Sequence, residues 1–215
     1  MKNYTALNIP TDLLNDITTL CKTLLADAES GKQEIVNQGS IFRIRIHKGG
    51  KAICDNPEHN KLYDSIQSRI PESILKITTG AMMLNLKHGR FQKVHIDRDR
   101  ECALNIPVVI PAGTHLGVYR HELNNTIDPK WLTMHPNDQN PTFDLDDEGE
   151  KYELGKPVIL NTRSWHWVDH NYDATKPIRK LSNGIFENVR SILSYDINYT
   201  PYEETIEIFR DAGWL

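Results

Sequence analysis

Two potential metal ligands, His95 and Asp97, lie two residues apart in the segment KVHIDRDRECALNIPVVIP, residues 93–111. Polar and apolar residues alternate through KVHID, which is typical of a β-strand. Alternate side chains of a strand share one face, so the imidazole and the carboxylate are predicted to project side by side. Arg98 and Arg100, which follow directly, are predicted to lie in a turn; a solvated turn is preferred, and contact with an acidic group of the substrate is the alternative. An HxD tripeptide arises often by chance, and its significance therefore depends on a third ligand elsewhere in the chain.

The candidate for the third ligand is His166, at the centre of the stretch WHWV and about 70 residues after Asp97. That separation allows several strands to intervene, and a strand that returns beside the first in a jelly roll would bring the residues together. Two histidines and one carboxylate form the facial triad of non-haem iron(II) oxygenases. His170 is an alternative ligand because it has the same strand parity as His166. Its neighbours Asp169 and Asn171 indicate that the strand ends there, so His166 is preferred.

Helices are predicted at both ends of the chain. Apolar residues recur at helical spacing in PTDLLNDITTLCKTLLADAESG, with Thr11 or Asp12 as the N-cap and Gly31 as the stop. A second helix is predicted over HNKLYDSIQSRIP, which ends at a proline. The final segment, TPYEETIEIFRDAGWL, predicts a short helix that begins after Thr200 or Pro201.

The rest of the chain has the pattern of a β-protein. SIFRIRIHKGG predicts a leading strand and a turn, and the segments from ILKITTGAMMLNLKHG to VRSILSYDI are short, β-rich and separated by turn residues. Many short strands in succession favour a sandwich, barrel or jelly roll. We therefore predict one mainly β domain with flanking helices over residues 1–215. Its parts are N-terminal helices and a leading strand in 1–75, a β core in 76–200 and a C-terminal helix in 201–215.

The composition limits the class of protein. The hydrophobic share of 39% and the charged share of 25% are those of a soluble globular chain. A net charge of -4 and a pI near 6.1 argue against non-specific nucleic-acid binding. No apolar run is long enough for a transmembrane helix, and no apolar signal region opens the chain, so no membrane partner is expected. Three widely spaced cysteines without a CxxC pair predict a reducing, cytoplasmic setting.

Over roughly residues 76–200 the chain resembles the Fe(II)- and 2-oxoglutarate-dependent oxygenases. The resemblance begins with GAMMLNLKHGRFQKVHID, which is similar to the family's strand, Gly-containing turn and HxD. It continues with ALNIPVVIP and closes with GKPVILNTRSWHWVDHN and NVRSILSYDINYTP. LNIPVV and RSILSYDI are similar to the aspartyl/asparaginyl β-hydroxylase-like and small prolyl-hydroxylase-like branches. The resemblance implies a double-stranded β-helix, or jelly roll.

The resemblance also implies a ligand set. His95, Asp97 and His166 would bind Fe(II), and Arg190 would bind the distal carboxylate of 2-oxoglutarate, because a planar guanidinium pairs with a carboxylate through two hydrogen bonds. The family's arginine usually follows its distal histidine more closely than Arg190 follows His166, so Arg179 is a rival. Arg190 is preferred because it opens the strand VRSILSYDI, whereas Arg179 lies in a turn-like stretch.

Two polar residues are predicted to contact the co-substrate as well. Ser194 lies four residues along the same strand face as Arg190 and would donate a hydroxyl hydrogen bond to the same carboxylate. Asn105 lies on the strand after the HxD turn, where the family often offers a polar contact. Asn85 and Tyr119 are rivals of Asn105 for that role.

The activity implied by the resemblance is that of a dioxygenase, specifically a hydroxylase. It would consume 2-oxoglutarate and dioxygen and would hydroxylate a protein side chain, a peptide residue or a small molecule. One alternative is a cupin-type metalloenzyme that does not use 2-oxoglutarate and needs no arginine clamp. The other is a non-catalytic jelly-roll binding module.

Overall fold

The structure is a computed structural model in which the described residues form a mainly antiparallel β-fold with a few helices. The described residues are 3–30, 32, 36–38, 41–45, 47–48, 51–52, 56–78, 83–87, 91–97, 100–110, 114–119, 149–170 and 190–215. None of the helices in these ranges is both long and apolar enough to cross a membrane.

The larger sheet is antiparallel throughout its described strands. In sheet order, these are β1 (Tyr4–Ala6), β11 (Val158–Asn161), β8 (Cys102–Val109), β13 (Arg190–Ile197), β6 (Met83–Lys87), β3 (Ile41–Arg45) and β2 (Val36–Gln38). Strands from both ends of the chain thus belong to one sheet. The central strands β8 and β13 pair along most of their length, with Ser194 opposite Asn105.

The smaller sheet is also antiparallel and contains the predicted HxD strand. Its described strands, in sheet order, are β10 (Gly149–Glu153), β9 (Thr114–Tyr119), β12 (His166–His170) and β7 (Phe91–His95). A separate ribbon pairs β4 (His47–Lys48) with β5 (Lys51–Ala52). In the smaller sheet β12 therefore lies between β9 and the strand that ends at His95.

The described helices are α1 (Thr11–Glu29), α2 (Pro57–Gln67), α3 (Glu72–Ile77) and α4 (Tyr202–Asp211). The predicted first, second and last helices are therefore present. The side chain of Asn56 caps α2 by accepting a hydrogen bond from the Glu58 N–H at 3.0 Å. Neither predicted N-cap of α1 has that role, because α1 follows Pro10 and has no side-chain cap hydrogen bond.

Helix α3 occupies part of the stretch that the sequence pattern assigned to β-structure. The Pro71 carbonyl accepts hydrogen bonds from the N–H groups of Ile74 and Leu75, which starts a helical turn. Ile74 is 1% exposed, and α3 packs against α4. Burial on a helical layer outweighs the strand propensity of the isoleucines, because tertiary packing routinely overrides local propensity.

The larger sheet has a different apolar layer on each of its faces. On β13, Leu193, Tyr195 and Ile197 pack with the helices, whereas Ile192 packs toward the smaller sheet. We call the first layer the helix-side core; its strand residues also include Cys102, Leu104, Ile106 and Ile159. We call the second layer the inner core, which contains Tyr4, Leu116, Val118, Leu154, Val158, Leu160, Val168 and Ile192. Strand alternation thus separates a layer between sheet and helices from a layer between the two sheets.

Candidate active site

Strand pairing in the smaller sheet brings the two halves of the predicted metal site together. His166, the first residue of β12, lies directly opposite His95, the last residue of β7. Cross-strand partners share one face of a sheet. Beyond β7, the Asp97 N–H donates to the Thr162 carbonyl at 2.9 Å. The segment after HxD is thereby held against the segment that leads into His166.

The neighbours of His166 on β12 show which face of the strand its side chain occupies. Val168, two residues later, belongs to the inner core, whereas Trp167 lies opposite Gly117 of β9. A Cβ atom at Gly117 would overlap the Trp167 ring, so this position needs a residue without a side chain. The indole therefore lies over β9 on the outer face, and His166 is left on the inner face.

The described side chains of the predicted triad lie close together. His166 Nε2 is 4.0 Å from Asp97 Oδ2, and His166 is buried. His166 Nδ1 lies 2.9 Å from the Ser164 carbonyl oxygen, which can only accept, so Nδ1 carries a proton. In the neutral form of the ring, Nε2 presents a lone pair toward the carboxylate, and a cation bound by both groups would satisfy them. A metal-binding histidine is usually oriented by a hydrogen bond that its other ring nitrogen donates, for example to a backbone carbonyl.

The separation of the two atoms is longer than that of neighbouring ligands on one ion. Two adjacent ligand atoms that are each about 2.1 Å from an ion lie about 3.0 Å apart, and the observed separation is 4.0 Å, so the two side chains would close by about 1 Å around an ion. Mixed imidazole and carboxylate donors suit first-row transition metals, including Fe(II). The His95 side chain lies outside the described part of the structure. Among the described side chains, no group of three potential ligands is present. The part of the predicted triad that the structure describes is therefore the pair His166 and Asp97.

Arg100 pairs with two carboxylates at this site and does not lie in the solvated turn predicted for it. Its Nε and Nη2 atoms each lie 2.8 Å from Asp97 Oδ2, and its Nη1 donates to Asp196 Oδ1. Desolvation lowers the pKa of Arg100, but attraction to the two carboxylates outweighs it and raises the pKa above its ordinary value. Arg98 lies outside the described residues.

The predicted co-substrate residues lie on the central strands of the larger sheet. Arg190 and Ser194 share the face of β13 that carries Ile192 into the inner core. The Ser194 hydroxyl donates to Asn105 Oδ1 on the neighbouring strand. Arg190 is 8% exposed, and desolvation lowers its pKa to about 10, so it remains a cation at neutral pH.

Only part of the information on the rival residues is available from the described residues. Arg179 lies outside the described residues, as do the side chains of Asn85 and Tyr119. The backbone of His170 lies opposite Thr114, at the end of β12 far from His166. Four strand residues span about 13 Å, so the strand position beside HxD belongs to His166.

The sequence interpretation missed Asp196, and it gave Arg100 a different role. A signal was available in principle, because Asp196 has the same strand parity as Arg190 and Ser194. A charged residue at an inward position of a β-strand needs a partner. The identity of that partner depends on the path of the chain after HxD, which strand parity does not specify.

Comparisons with known proteins support the fold alone. No protein-family model matches the chain, and no curated protein matches it. The non-heme alpha ketoglutarate dependent epimerase SnoN from nogalamycin biosynthesis is 10% identical, with 90% of this chain and 77% of SnoN covered at a TM-score of 0.50. A 2OG-Fe(II) oxygenase family oxidoreductase from Burkholderia pseudomallei is 14% identical (90% and 83% covered, TM-score 0.46). A Pseudomonas putida prolyl-4-hydroxylase is 12% identical (91% of each chain covered, TM-score 0.44). The similarity to SnoN shows that the chain shares its fold.

Proposed function

We propose that this chain is an Fe(II)- and 2-oxoglutarate-dependent dioxygenase with a double-stranded β-helix fold. The observation that carries the proposal is the approach of His166 Nε2 to Asp97 Oδ2, at 4.0 Å, in a fold shared with SnoN. SnoN is an alpha ketoglutarate dependent enzyme by its name. The donor types suit a first-row metal, and the inner face of β13 carries a buried cation for an anionic co-substrate.

His95, Asp97 and His166 would hold the iron. When bound, Fe(II) supplies the redox chemistry that couples decarboxylation of 2-oxoglutarate to hydroxylation of a C–H bond, with one atom of dioxygen entering succinate and the other entering the product. The protein contributes orientation. The Ser164 carbonyl fixes the tautomer of His166, and the Thr162 carbonyl fixes the backbone of Asp97.

Arg190, Ser194 and Asn105 would receive 2-oxoglutarate. A buried guanidinium pairs strongly with a carboxylate, because both groups are then removed from water. The Ser194 hydroxyl has one proton and 2-oxoglutarate offers only acceptors, so Ser194 would donate to the co-substrate by turning its hydroxyl away from Asn105 Oδ1. The Asn105 amide has two N–H groups and can donate to the co-substrate while it accepts from Ser194. Ser194 is four residues from Arg190, or about 13 Å along the strand, which favours contacts to different ends of the co-substrate.

The substrate proposed is a C–H bond of a protein side chain, a peptide residue or a small molecule. A cupin-type enzyme would share the metal ligands without a need for Arg190. A non-catalytic binding module would need neither metal nor co-substrate. A buried guanidinium on the same strand face as Ser194 supports a co-substrate that carries a carboxylate.

Anaerobic titration tests the proposal. We expect one Fe(II) per chain and, on addition of 2-oxoglutarate, the visible charge-transfer band that a bidentate 2-oxo acid gives on Fe(II). His95→Ala and Asp97→Ala should abolish stoichiometric binding. His115→Ala is the control, because this histidine lies on β9 of the same sheet with parity opposite to that of Leu116 in the inner core. Iron binding without the band would support the cupin-type alternative, and full occupancy in both triad variants would disprove the ligand assignment.

A further inference from the structure

Arg100 lies between two carboxylates that belong to different parts of the proposed site. Its Nε and Nη2 atoms both contact Asp97 Oδ2, and its Nη1 donates to Asp196 of β13. The side chains of Arg100, Asp97 and Asp196 are 25%, 21% and 22% exposed. Ion pairs buried to this extent are screened less by solvent than pairs on an open surface.

The way in which Arg100 holds Asp97 has a consequence for metal binding. Two N–H groups directed at one carboxylate oxygen occupy much of its acceptor capacity. An oxygen bonded in this way has little capacity left for an ion, so Asp97 favours coordination through its other oxygen rather than through both. One-oxygen coordination suits a facial triad, because it leaves positions on the ion for a co-substrate and dioxygen.

Asp196 connects the same arginine to the larger sheet, because Arg100 holds its carboxylate in an ion pair. Asp196 also shares the β13 face of Arg190 and Ser194. Arg100 therefore connects the metal ligand Asp97 to the strand that carries the proposed co-substrate residues.

The backbone of Arg100 is anchored independently of its guanidinium. The hydroxyl of buried Thr162 donates to the Arg100 carbonyl at 2.8 Å, and the Thr162 carbonyl accepts from the Asp97 N–H at 2.9 Å. The Thr162 N–H in turn donates to the Glu101 carbonyl at 3.1 Å. A change in the arginine side chain should therefore leave the path of this segment in place.

We propose that Arg100 is a positioning residue that orients Asp97 for metal binding through one oxygen and couples the metal site to β13. This inference rests on the proposed function, because it assigns the role of Arg100 relative to that metal site. It predicts that loss of the guanidinium changes both the affinity for the metal and its coordination, although Arg100 itself does not touch the ion.

Cobalt(II) tests this role without turnover, because its visible absorption reports the number and arrangement of ligands. In Arg100→Gln we expect Co(II) affinity to fall about 10- to 100-fold, as is typical when a partner of a metal ligand is lost, and the absorption spectrum to change. Asp196→Asn should weaken Co(II) binding less, because the contacts between Arg100 and Asp97 remain. The losses in the double variant should be smaller than the sum of the two single losses in free energy.

The control is Arg163→Gln. Arg163 also directs two nitrogens at one carboxylate oxygen, that of Glu101, but it is more exposed and Glu101 is not a predicted ligand. Its removal should leave the Co(II) affinity and spectrum unchanged. If Arg100→Gln fails to fold, Arg100→Lys is used; it keeps the charge but loses the planar fork, and we expect a partial loss of affinity and an altered spectrum.

The outcomes separate the two proposals. Unchanged Co(II) affinity and spectrum in a folded Arg100 variant would overturn the role of Arg100 while leaving the proposed function intact. An unmodified protein that binds neither Co(II) nor Fe(II) in stoichiometric amount would overturn both. An equal loss in the Arg163→Gln control would overturn the assignment of the effect to the Asp97 partner.

Discussion

The two faces of β13 contrast in what they carry, although they consist of alternate residues of one strand. The helix-side face presents Leu193, Tyr195 and Ile197 to a continuous apolar layer beneath the helices. The inner face carries one apolar residue, Ile192, together with three polar residues. The polar residues are Arg190, Ser194 and Asp196.

The difference shows how one strand serves stability and chemistry together. Buried apolar area on the helix-side face stabilises the fold in proportion to its size. Buried charge and hydroxyl groups on the inner face cost desolvation and must be offset by partners or ligands. Substitutions on the inner face should therefore change ligand binding. Substitutions on the helix-side face should change only the free energy of unfolding.

The largest effect is expected for Arg190→Met, which should weaken 2-oxoglutarate binding while Fe(II) binding remains nearly intact. Loss of one partner of a desolvated charge pair costs about 2–5 kcal/mol, which is roughly 30-fold to several thousand-fold in affinity. The measurement is anaerobic titration of the charge-transfer band. Arg179→Met is the control and should change little. A large loss in Arg179→Met with none in Arg190→Met would reverse the assignment.

A stability effect of similar size should appear on the opposite face. Leu193 is 0% exposed in the helix-side core, and Leu193→Ala should lower the free energy of unfolding by about 2–5 kcal/mol. Fe(II) and 2-oxoglutarate affinities of the folded variant should remain unchanged. Chemical denaturation gives the first quantity and anaerobic titration the second.

The neighbouring residue provides the matched comparison for that variant. Ile192→Ala should also destabilise the fold, but because Ile192 lies between Arg190 and Ser194 on the inner face, it should weaken 2-oxoglutarate binding as well. Equal ligand affinities in Ile192→Ala and Leu193→Ala would contradict the division of roles between the two faces.

The smallest effect is expected for Ser194→Ala. It removes the hydrogen bond to Asn105, and such a bond contributes about 0.5–1.5 kcal/mol. We expect a loss of 2-oxoglutarate affinity of roughly 2- to 13-fold, the same energy expressed as a ratio of binding constants. An effect as large as that of Arg190→Met would mean that Ser194, and not Arg190, is the principal contact.

Much of the architecture followed from local patterns. Helical spacing of apolar residues predicted α1, and alternation predicted β13 with Arg190 at its first position. Helix α3 was missed, because a short isoleucine-containing segment satisfies both periods and its burial against α4 decides between them.

The candidate site divides in the same way. The sequence by itself determined which residue types are available, as well as the parity that places Arg190 and Ser194 on one strand face, because side-chain direction along a strand is a local property. Only the tertiary structure decided that His166 lies opposite His95 and that Arg100 joins Asp97 to Asp196. These contacts join residues from distant parts of the chain, and they depend on strand register and the path of connecting segments, which are set by the packing of the whole fold.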